Sequence, residues 1–361
     1  MKHKVENIDR LIIDAQSSLL EAMKQMDAND CKSLIVFQEG RFQGLLSIGD
    51  IQRRILAKGS IDYQVKDVLR KNIVVARVGD SSESIGLLME EKRIEIMPVL
   101  DDEGELVDVI FWKDRFGYKQ RRKSKLKGVP LVIMAGGRGL RLKPITDVIP
   151  KPLIPLGGKP IIETIINSFV EEGCSNILLS VNYKSEIIKF HFESIQKKGY
   201  SITFFEEKSP LGTAGSLRLI RNKINSTFFV SNCDIFIDQD YHEILSYHKK
   251  SRNELTAVAA IKEFSIPYGT FELSSNGSLK DIKEKPKSAY YVNAGMYILE
   301  PELLDEIPNS NDFFHITDLI KNILARNGRI GVFPVSEGSW FDIGNWNVYD
   351  KSLKGYQNRF G

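Results

Sequence analysis

The stretch LVIMAGGRGLRLKP, residues 131–144, begins as an apolar run and changes into three glycines set among basic residues. The run LVIMA is typical of a buried strand, and apolar pairs recur at helical spacing over residues 161–170. Between them, Gly136, Gly137 and Gly139 allow backbone amides to approach phosphate oxygens without an intervening side chain. The stretch therefore predicts a strand, a phosphate-binding loop and a helix.

Two familiar glycine motifs do not fit this loop. The dinucleotide fingerprint needs a further glycine where Leu142 stands, and no Gly-Lys-Ser/Thr follows, as a Walker A loop requires. What remains is a glycine loop with Arg141 inside it and Lys151 ten residues further on. Pro150 and Pro152 stiffen the chain that carries this lysine.

The chain beyond the loop alternates between short apolar strands and helical stretches. This alternation is typical of an α/β fold with a mostly parallel sheet, in which ligands bind at the carboxyl ends of strands. The predicted strands are NILLSV, ITFFE, TFFVSN and TAVAAI, and the helical stretches cover residues 185–192 and 241–249.

The first third of the chain contains an internal repeat. SSLLEAMKQM, followed by SLIVFQEGRFQGLLSIGDI, is echoed by SSESIGLLME, followed by IMPVLDDEGELVDVIFWKDRF, and Asp50 and Asp114 close the two copies. Each copy predicts a helix and a β-hairpin, an α+β unit. Such a unit cannot cover its own apolar face, so we expect the copies to pack together around a cleft.

Bulk properties restrict the class of protein. The chain has 361 residues, 42% of them apolar and 27% charged, with a formal net charge of +3. This length favours two domains, and the small net charge argues against a dedicated nucleic-acid binder. No apolar run reaches the roughly 18 to 20 residues of a membrane span, and the N-terminus lacks the apolar segment of a secretion signal. We therefore expect a cytoplasmic protein without nucleic-acid or membrane partners.

The cysteines and one basic segment have simple interpretations. Cys31, Cys174 and Cys233 lie far apart without metal-ligand spacing, which indicates buried, reduced thiols. GYKQRRKSKLKG, residues 117–128, carries six basic side chains and no apolar period, which is typical of a solvated linker. Nucleic-acid or membrane contact is the alternative, but no aromatic residues are interleaved to support it.

The repeat resembles a tandem pair of CBS domains over residues 5–118, including VKDVL at 65–69. This resemblance implies binding of an adenine nucleotide or a pathway product through Gly44, Ser47 and Asp50. The second copy departs from the family pattern, because Phe111 stands where a hydroxyl is expected. The alternative is a structural pairing module, and we expect a homodimer or higher homo-oligomer through these repeats.

The second resemblance covers about residues 130–350. MAGGRGLRLKPITDVIPKPLIPLGGKPIIE, SPLGTAGSL, VSNCDIF, PYGTFEL, IKEKP, VNAGMYIL and SWFDIGNW stand in the order found in sugar-1-phosphate nucleotidyltransferases. Leu140 departs from the family, where threonine is frequent. The predicted organisation is a CBS pair over 1–118, a basic linker over 119–129 and a Rossmann-like nucleotidyltransferase domain, with a mostly parallel mixed sheet, over 130–361.

This resemblance implies a set of reacting residues. Arg141 neutralises the triphosphate, Lys151 holds the reacting phosphates and Lys285 holds the sugar phosphate. Asp234 and Asp342 bind Mg²⁺, the implied cofactor, since hard cations prefer oxygen ligands. No protein nucleophile is required when positioning and charge neutralisation provide the catalysis.

The resemblance also assigns the substrate pockets. It places the nucleotide against Ala135, Gly136, Gly137, Gly139, Leu211, Gly212 and Gly215, and the sugar against Gly269, Glu284 and Asn293. SPLGTAGSL most resembles the guanylyltransferase branch, which favours GTP. The combination with CBS repeats resembles guanylyltransferases of legionaminic-type pathways, whose sugar is glucosamine 1-phosphate or its N-acetyl form. The alternatives are a uridylyl- or thymidylyltransferase, a mannose or heptose 1-phosphate guanylyltransferase, and a catalytically silent nucleotide-sensing scaffold.

Overall fold

A computed structural model describes residues 8–70, 72–92, 94–112, 125–195, 199–310 and 312–360. The chain divides into two compact units, with the boundary between Arg122 and Lys123. Asp114, which closes the second repeat in the sequence, lies outside the described residues, as does the basic segment up to residue 124. The predicted limits of the linker therefore stay a prediction.

The first unit contains two copies of one α+β arrangement. The first copy comprises β1 (Ile12–Asp14), α1 (Leu19–Ala28), β2 (Ser33–Gln38), β3 (Arg41–Ser47) and α2 (Ile48–Lys58), and the second comprises β4 (Ala76–Arg77), α3 (Ser82–Lys92), β5 (Ile96–Leu100) and β6 (Leu106–Phe111). In both copies the first strand is parallel to the second, which forms an antiparallel hairpin with the third. The predicted helix-and-hairpin repeat is confirmed.

Local sequence explains how each copy starts and turns. The Ser18 hydroxyl and the Glu21 carboxylate form a capping box at the start of α1, which satisfies otherwise unpaired amides of the first turn. Helix α1 then buries one apolar stripe, including Leu19 and Met23, under the sheet. The hairpin turn uses Gly40 at φ 79°, a conformation that glycine adopts without steric cost.

The second unit is an α/β domain. Its strands are β7 (Leu131–Met134), β8 (Pro155–Leu156), β9 (Lys159–Pro160), β10 (Asn176–Val181), β11 (Ser201–Glu206), β12 (Phe228–Asn232), β13 (Ile235–Ile237), β14 (Leu255–Ser265), β15 (Thr270–Leu273), β16 (Leu279–Lys283), β17 (Lys287–Leu299), β18 (Ile330–Ser336) and β19 (Trp340–Asp342). Its α-helices are α4 (Ile161–Glu171), α5 (Ser185–Ser194), α6 (Gly212–Gly215), α7 (Tyr241–Ser251), α8 (Ile316–Ala325) and α9 (Trp346–Phe360).

Seven strands form the central sheet in the order β11-β10-β7-β12-β17-β14-β18. Neighbouring strands are parallel except at β17, which is antiparallel to both β12 and β14. The mostly parallel mixed sheet is confirmed. Since β7 and β12 run side by side with Met134 opposite Asn232, the loops that follow them leave the sheet at the same edge.

Helices cover the sheet with apolar side chains. Helix α4 buries the predicted stripe, including Ile162, Ile166 and Phe169. The Phe169 ring stacks on Tyr241 of α7 at a centroid distance of 4.0 Å and meets Phe229 of β12 edge-on. Burial of each such side chain contributes about 1.5–3 kcal/mol, so this packing fixes the strand whose end carries the site described below.

The cysteines of the described residues form no disulfide bond. Cys174 and Cys233 are buried, whereas Cys31 is only half-buried. Burial raises the pKa of Cys174 to about 11 and that of Cys233 to about 12, so both remain protonated at neutral pH. Within the described ranges, no helix has the length and apolarity needed to cross a bilayer.

Candidate active site

The glycine loop forms where β7 ends at the carboxyl edge of the sheet. Ala135 continues the strand by one further bond, its N–H donating to the Ser180 carbonyl at 3.0 Å. Gly139 has φ 64°, and a Cβ atom there would lie 2.8 Å from Thr146 Cγ2 and 3.1 Å from Lys151 Cβ. A Cβ atom on Gly137 would meet no atom within 4 Å. The loop is therefore closed toward Lys151 on one side and open on the other.

Two aspartates meet across a small antiparallel pair of strands. Asp234 directly precedes β13, which pairs with β19 so that Ile235 stands opposite Asp342. The N–H of Ile343 donates to the carbonyl of Asp234 at 2.9 Å, which ties the two chain segments together beside the carboxylates. These residues are 108 positions apart in the sequence, and only this strand pairing makes them neighbours.

Two cations complete this cluster. Lys151 is 8% exposed and its Nζ donates a hydrogen bond to Oδ2 of Asp234. Burial raises the pKa of Asp342 and the charge of Asp234 adds to this increase, while the N–H of Gly344 and the charges of Lys151 and Arg141 oppose it. The structure thus brings together Arg141, Lys151, Asp234 and Asp342.

The donor set fits a divalent cation that takes most of its ligands from elsewhere. Among the residues that the structure describes, no group of three or more His, Cys, Asp or Glu side chains could hold a metal ion. Mg²⁺, however, is usually bound by one or two carboxylates together with water and substrate phosphates. Asp234 and Asp342 supply that number, and a bound cation would offset both the burial of the Asp342 carboxylate and the nearby charge of Asp234, which together raise the pKa of Asp342.

Glu207 is a site residue that the sequence analysis did not single out. It is 6% exposed, accepts hydrogen bonds from the Ser180 hydroxyl at 2.5 Å and from the Leu211 N–H at 3.2 Å, and faces the glycine loop. A Cβ atom on Gly136 would lie 2.7 Å from Glu207 Oε1. The signal in the sequence was a carboxylate directly after the strand ITFFE, at the sheet edge where ligands bind.

The glycines of the predicted base pocket have a packing role. Gly212 has φ 86°, and a Cβ atom there would lie 2.6 Å from the carbonyl oxygen of Phe314. The N–H groups of Ala214 and Gly215 donate to that same carbonyl at 3.1 and 2.9 Å. This contact holds Leu211 in place, so the turn that borders Glu207 has a fixed backbone.

The predicted sugar-binding residues lie at two places in the domain, beside the hairpin β15–β16 and on β17 of the central sheet. Gly269 and Glu284 flank the hairpin β15–β16, and a Cβ atom on Gly269 would lie 2.9 Å from Glu284 Oε2. Lys285 follows with φ 44° and an exposed side chain. Asn293 lies on β17, where its side chain exchanges hydrogen bonds with the Tyr297 hydroxyl at 2.7 and 2.9 Å. The Asn293 side chain also accepts a hydrogen bond from the Gly295 N–H at 3.0 Å, and a Cβ atom on Gly295 would lie 3.2 Å from Cδ1 of Ile235, the residue after Asp234.

Ser47 and Asp50 of the first unit are engaged in local structure. They form a capping box at the start of α2, and the Asp50 carboxylate also accepts hydrogen bonds from Arg53 and from Arg70. Burial alone would raise the pKa of Asp50, but the hydrogen bonds from Arg70, Ser47 and Arg53 outweigh it and lower this pKa. Arg53, Arg54 and Arg70 line a pocket of about 570 Å³ beside this carboxylate.

The fold and the site define the class of protein. The second unit is an α/β domain whose strand ends present a glycine loop, two cations and two carboxylates, and the first unit is a tandem helix-and-hairpin repeat. Residues 131–359 match the family model described as nucleotidyl transferase, and residues 5–57 and 65–116 each match that of the CBS domain. The chain belongs to the nucleotidyl transferase family and carries tandem CBS domains at its N-terminal side.

Named relatives share the nucleotidyl transferase unit. The chain is 34% identical over 224 residues to mannose-1-phosphate guanyltransferase of Saccharomyces cerevisiae, covering 59% of this chain and 60% of that protein. It is 32% identical over 228 residues to the bifunctional protein GlmU of Methanococcus aeolicus, covering 61% and 52%. The crystal structure of HddC from Yersinia pseudotuberculosis matches with a TM-score of 0.50 and 25% identity, covering 63% and 99%. The chain thus spans about half to 60% of the length of these two curated relatives.

Proposed function

We propose that this protein is a Mg²⁺-dependent sugar-1-phosphate guanylyltransferase. It transfers the guanylyl group of GTP to a hexose or hexosamine 1-phosphate and releases pyrophosphate. The observation that carries the proposal is the convergence of Arg141, Lys151, Asp234 and Asp342 beside the glycine loop. Membership of the nucleotidyl transferase family supports it.

The reaction requires two anions to meet. A phosphate oxygen of the sugar 1-phosphate attacks the α-phosphorus of the triphosphate, a new P–O bond forms, and the bond to the bridging oxygen breaks. Pyrophosphate leaves with that electron pair. The guanidinium of Arg141 is suited to bind the triphosphate and the leaving group, and the ammonium of Lys151 to hold the reacting phosphates, because fixed cations stabilise charge in a partly buried site.

Asp234 and Asp342 are the groups that would hold Mg²⁺. When bound, this ion supplies neutralisation of charge on the α-phosphate and fixes its orientation. Before substrates enter, Lys151 and Asp234 neutralise each other through their hydrogen bond. With the triphosphate and the ion bound, Lys151 would pair with phosphate oxygens and Asp234 would hold the ion, so neither side chain would be left with an unpaired charge.

Glu207 supports the choice of GTP. A carboxylate has about four acceptor positions, and among the residues that the structure describes Ser180 and Leu211 each donate one hydrogen bond to this one. Guanine presents two adjacent donors, N1–H and the 2-amino group, which match a carboxylate. Uracil and thymine present a single N–H between two carbonyl oxygens. These oxygens carry partial negative charge and would be repelled by the Glu207 carboxylate.

Two lines of support point to different sugar 1-phosphates as the acceptor. The relatives named mannose-1-phosphate guanyltransferase support mannose 1-phosphate, whereas the combination with tandem CBS domains supports glucosamine 1-phosphate or its N-acetyl form. Glu284 can accept hydrogen bonds from sugar hydroxyls or from an ammonium group, Lys285 can bind the sugar phosphate, and Gly269 and Asn293 complete the proposed pocket. We propose glucosamine 1-phosphate as the first acceptor to test, with mannose 1-phosphate as the second.

The CBS pair is proposed to regulate the enzyme or to form a dimer. An adenine nucleotide or the sugar nucleotide product is the proposed ligand at Ser47 and Asp50. Because Arg53 and Arg70 already hold the Asp50 carboxylate, a ribose hydroxyl would have to replace one guanidinium, which would then be available for a phosphate group. The homodimer remains part of the proposal.

The test is an activity matrix with the full chain. Pyrophosphate release is measured with GTP, ATP, UTP and dTTP against mannose, glucosamine, N-acetylglucosamine and heptose 1-phosphates, with and without Mg²⁺. The matrix is repeated with AMP, ADP and ATP as effectors. We expect release with GTP and one of these sugars only when Mg²⁺ is present.

Asp234→Ala serves as the inactive control for this matrix. It removes a proposed metal ligand that also pairs with the largely buried Lys151, so we expect activity to fall by about 10²- to 10³-fold or more in a chain that still folds but melts at a lower temperature. Asp305→Ala, at an exposed surface ion pair with Arg221, should match the wild type. Absence of pyrophosphate release from the wild type with every pair would refute the proposed function.

A further inference from the structure

Helix α9 presents three side chains that bind main-chain groups outside the helix. Trp346, Tyr349 and Ser352 are spaced by three residues, which places them on neighbouring positions of one helix side. Each forms a hydrogen bond to a different chain segment, and each of these segments carries one residue of the charged cluster. None of the three has a role in the chemistry described above.

Ser352 binds the segment of Asp342. Its hydroxyl donates to the Asp342 carbonyl at 2.7 Å and accepts from the Asp342 N–H at 3.2 Å, so one side chain satisfies both main-chain groups of the proposed metal ligand. Ser352 is 7% exposed. A buried pair of hydrogen bonds of this kind fixes the position and the direction of the peptide that carries the carboxylate.

Tyr349 and Trp346 bind the segments of the two cations. The Tyr349 hydroxyl donates to the carbonyl of Pro155 at 2.9 Å, four residues after Lys151. The Trp346 indole N–H donates to the carbonyl of Lys143 at 3.1 Å, two residues after Arg141. One helix side thus connects the segment of Asp342 to the segments of Lys143 and Pro155, which lie far from it in the sequence.

The helix itself is fixed further along its length. The Tyr356 ring meets Phe341 and Phe236 edge-on at 5.9 and 5.8 Å, and Gly157 leaves room for this ring where any side chain would collide with it. Phe341 and Phe236 belong to β19 and β13, the strands beside the two aspartates. The C-terminal part of the helix is therefore packed against the two strands beside the aspartates, which fixes the position of its hydrogen-bonding side chains.

We propose that Trp346, Tyr349 and Ser352 are positioning residues that hold Arg141, Lys151 and Asp342 in their mutual arrangement. This inference rests on the proposed function, because it assigns these residues to the same site. They act through the main chain and contact no reacting atom. The energetic reason is that displacement of a catalytic group by about 1 Å can cost about 10²-fold in rate.

The test compares three variants of the full chain. Ser352→Ala and Tyr349→Phe each remove a hydroxyl group and little else, whereas Trp346→Phe removes the indole N–H together with part of the ring. We expect Ser352→Ala to weaken Mn²⁺ binding, followed by electron paramagnetic resonance without sugar, by about 10- to 100-fold. We expect all three to lower kcat by at least about 10-fold, and KM for the sugar 1-phosphate to stay within about twofold. Ser352→Thr, which keeps the hydroxyl, should restore Mn²⁺ binding.

Matched controls lie on the exposed side of the same helix. Asp350 and Lys354 form a surface ion pair with side chains 66% and 71% exposed, so Asp350→Ala and Lys354→Ala should leave Mn²⁺ binding and kcat unchanged. Melting temperatures of all variants show whether the helix remains folded. If one of the three variants unfolds, the other two still test the inference, since they remove different hydrogen bonds.

The outcomes separate this inference from the proposed function. A wild type that binds Mn²⁺ without turnover refutes the proposed function, and the Mn²⁺ affinity of Ser352→Ala then decides the inference alone. If the Ser352, Tyr349 and Trp346 variants are indistinguishable from the Asp350 and Lys354 controls, the inference is overturned and the proposed function is unaffected. A folded wild type that neither binds Mn²⁺ nor turns over refutes both.

Discussion

At the residue scale, the buried carboxylate of Glu207 is the group that we propose to recognise the nucleotide base. It lies where the backbone of Leu211 and the glycine loop meet, and both of its oxygen atoms already accept a hydrogen bond from the protein. Because the group is buried and fixed, a ligand must match its acceptors or leave them unpaired, at a cost of about 1–3 kcal/mol.

The change that tests this is Glu207→Gln, which replaces an acceptor by an amide donor of the same size. We expect kcat/KM for GTP to fall by about 10- to 100-fold, since the new amide N–H would face the guanine donors. ITP, which lacks the 2-amino group, should be affected less. The measurement is kcat/KM for GTP and ITP at fixed sugar 1-phosphate.

Glu206 provides the control for this prediction. It precedes Glu207, and its side chain is 53% exposed and paired with Lys189 on the surface. Glu206→Gln should keep the wild-type ratio between GTP and ITP. An equal effect of Glu207→Gln on both nucleotides would mean that Glu207 does not contact the 2-amino group.

At the element scale, the glycine loop combines two requirements at neighbouring positions. Gly139 has a left-handed backbone and approaches Lys151 closely, so a side chain there would be strained. Gly137 has open space beside its Cα atom, where a side chain would fit but would occupy the proposed phosphate-binding face. The first requirement concerns how the loop is built, and the second concerns what it can bind.

Alanine at each position separates the two requirements. In Gly139→Ala the methyl group collides with Thr146 and Lys151, and the left-handed backbone costs about 1–2 kcal/mol. We therefore expect a lower melting temperature and a reduced kcat. Gly137→Ala should melt as the wild type, because its methyl group points into open space, but should raise KM for the nucleotide. Thermal melts and steady-state kinetics measure both.

Each of the two variants serves as the control for the other. The element-scale interpretation fails if Gly139→Ala melts and turns over as the wild type. It also fails if Gly137→Ala leaves nucleotide binding unchanged, since the open face would then not be the phosphate-binding face.

At the scale of the whole molecule, a buried histidine connects several elements of the nucleotidyl transferase unit. His248 of α7 is fully buried, with Nδ1 2.8 Å from the Thr256 hydroxyl on β14 and Nε2 3.0 Å from Glu300 after β17. Thr227, before β12, donates its hydroxyl to the same carboxylate. Burial lowers the pKa of His248 and the charge of Lys249 lowers it further, although Glu300 acts in the opposite direction.

This arrangement predicts a pH dependence of stability. Because the pKa of His248 is lower in the folded than in the unfolded chain, the unfolded chain binds the proton first as the pH falls. Its contribution to stability is complete above the unfolded value of about 6.5 and is lost progressively below it. We expect His248→Gln to destabilise the protein by about 1–3 kcal/mol at pH 7.5 and to make the decline between pH 7 and 5 shallower.

Thermal melts from pH 7.5 to 5 provide the measurement. His242→Gln is the control, because His242 lies on the same helix and is only half-buried. Parallel pH curves for His248→Gln and the wild type would contradict the assignment of this pH dependence to His248.

The sequence by itself determined the elements and the order of the motifs. Strands and helices were predicted from hydrophobic periodicity, because the side of an element that faces the core must be apolar. The run NILLSV forms β10, and the apolar pairs after Pro160 form α4. The glycines after β7 and the repeat in the first third were equally visible. These are local properties, and local steric and solvation effects suffice to specify them.

The tertiary structure alone decided which distant residues meet. Nothing in the sequence gives the antiparallel direction of β17, the pairing of β13 with β19 that joins Asp234 to Asp342, or the contact of Ser352 with Asp342. Glu207 was overlooked because a lone carboxylate after a strand has no distinguishing pattern. Periodicity reports only whether a side chain faces the core, whereas proximity depends on how strands and helices pack over long separations, and the charged site is made of such contacts.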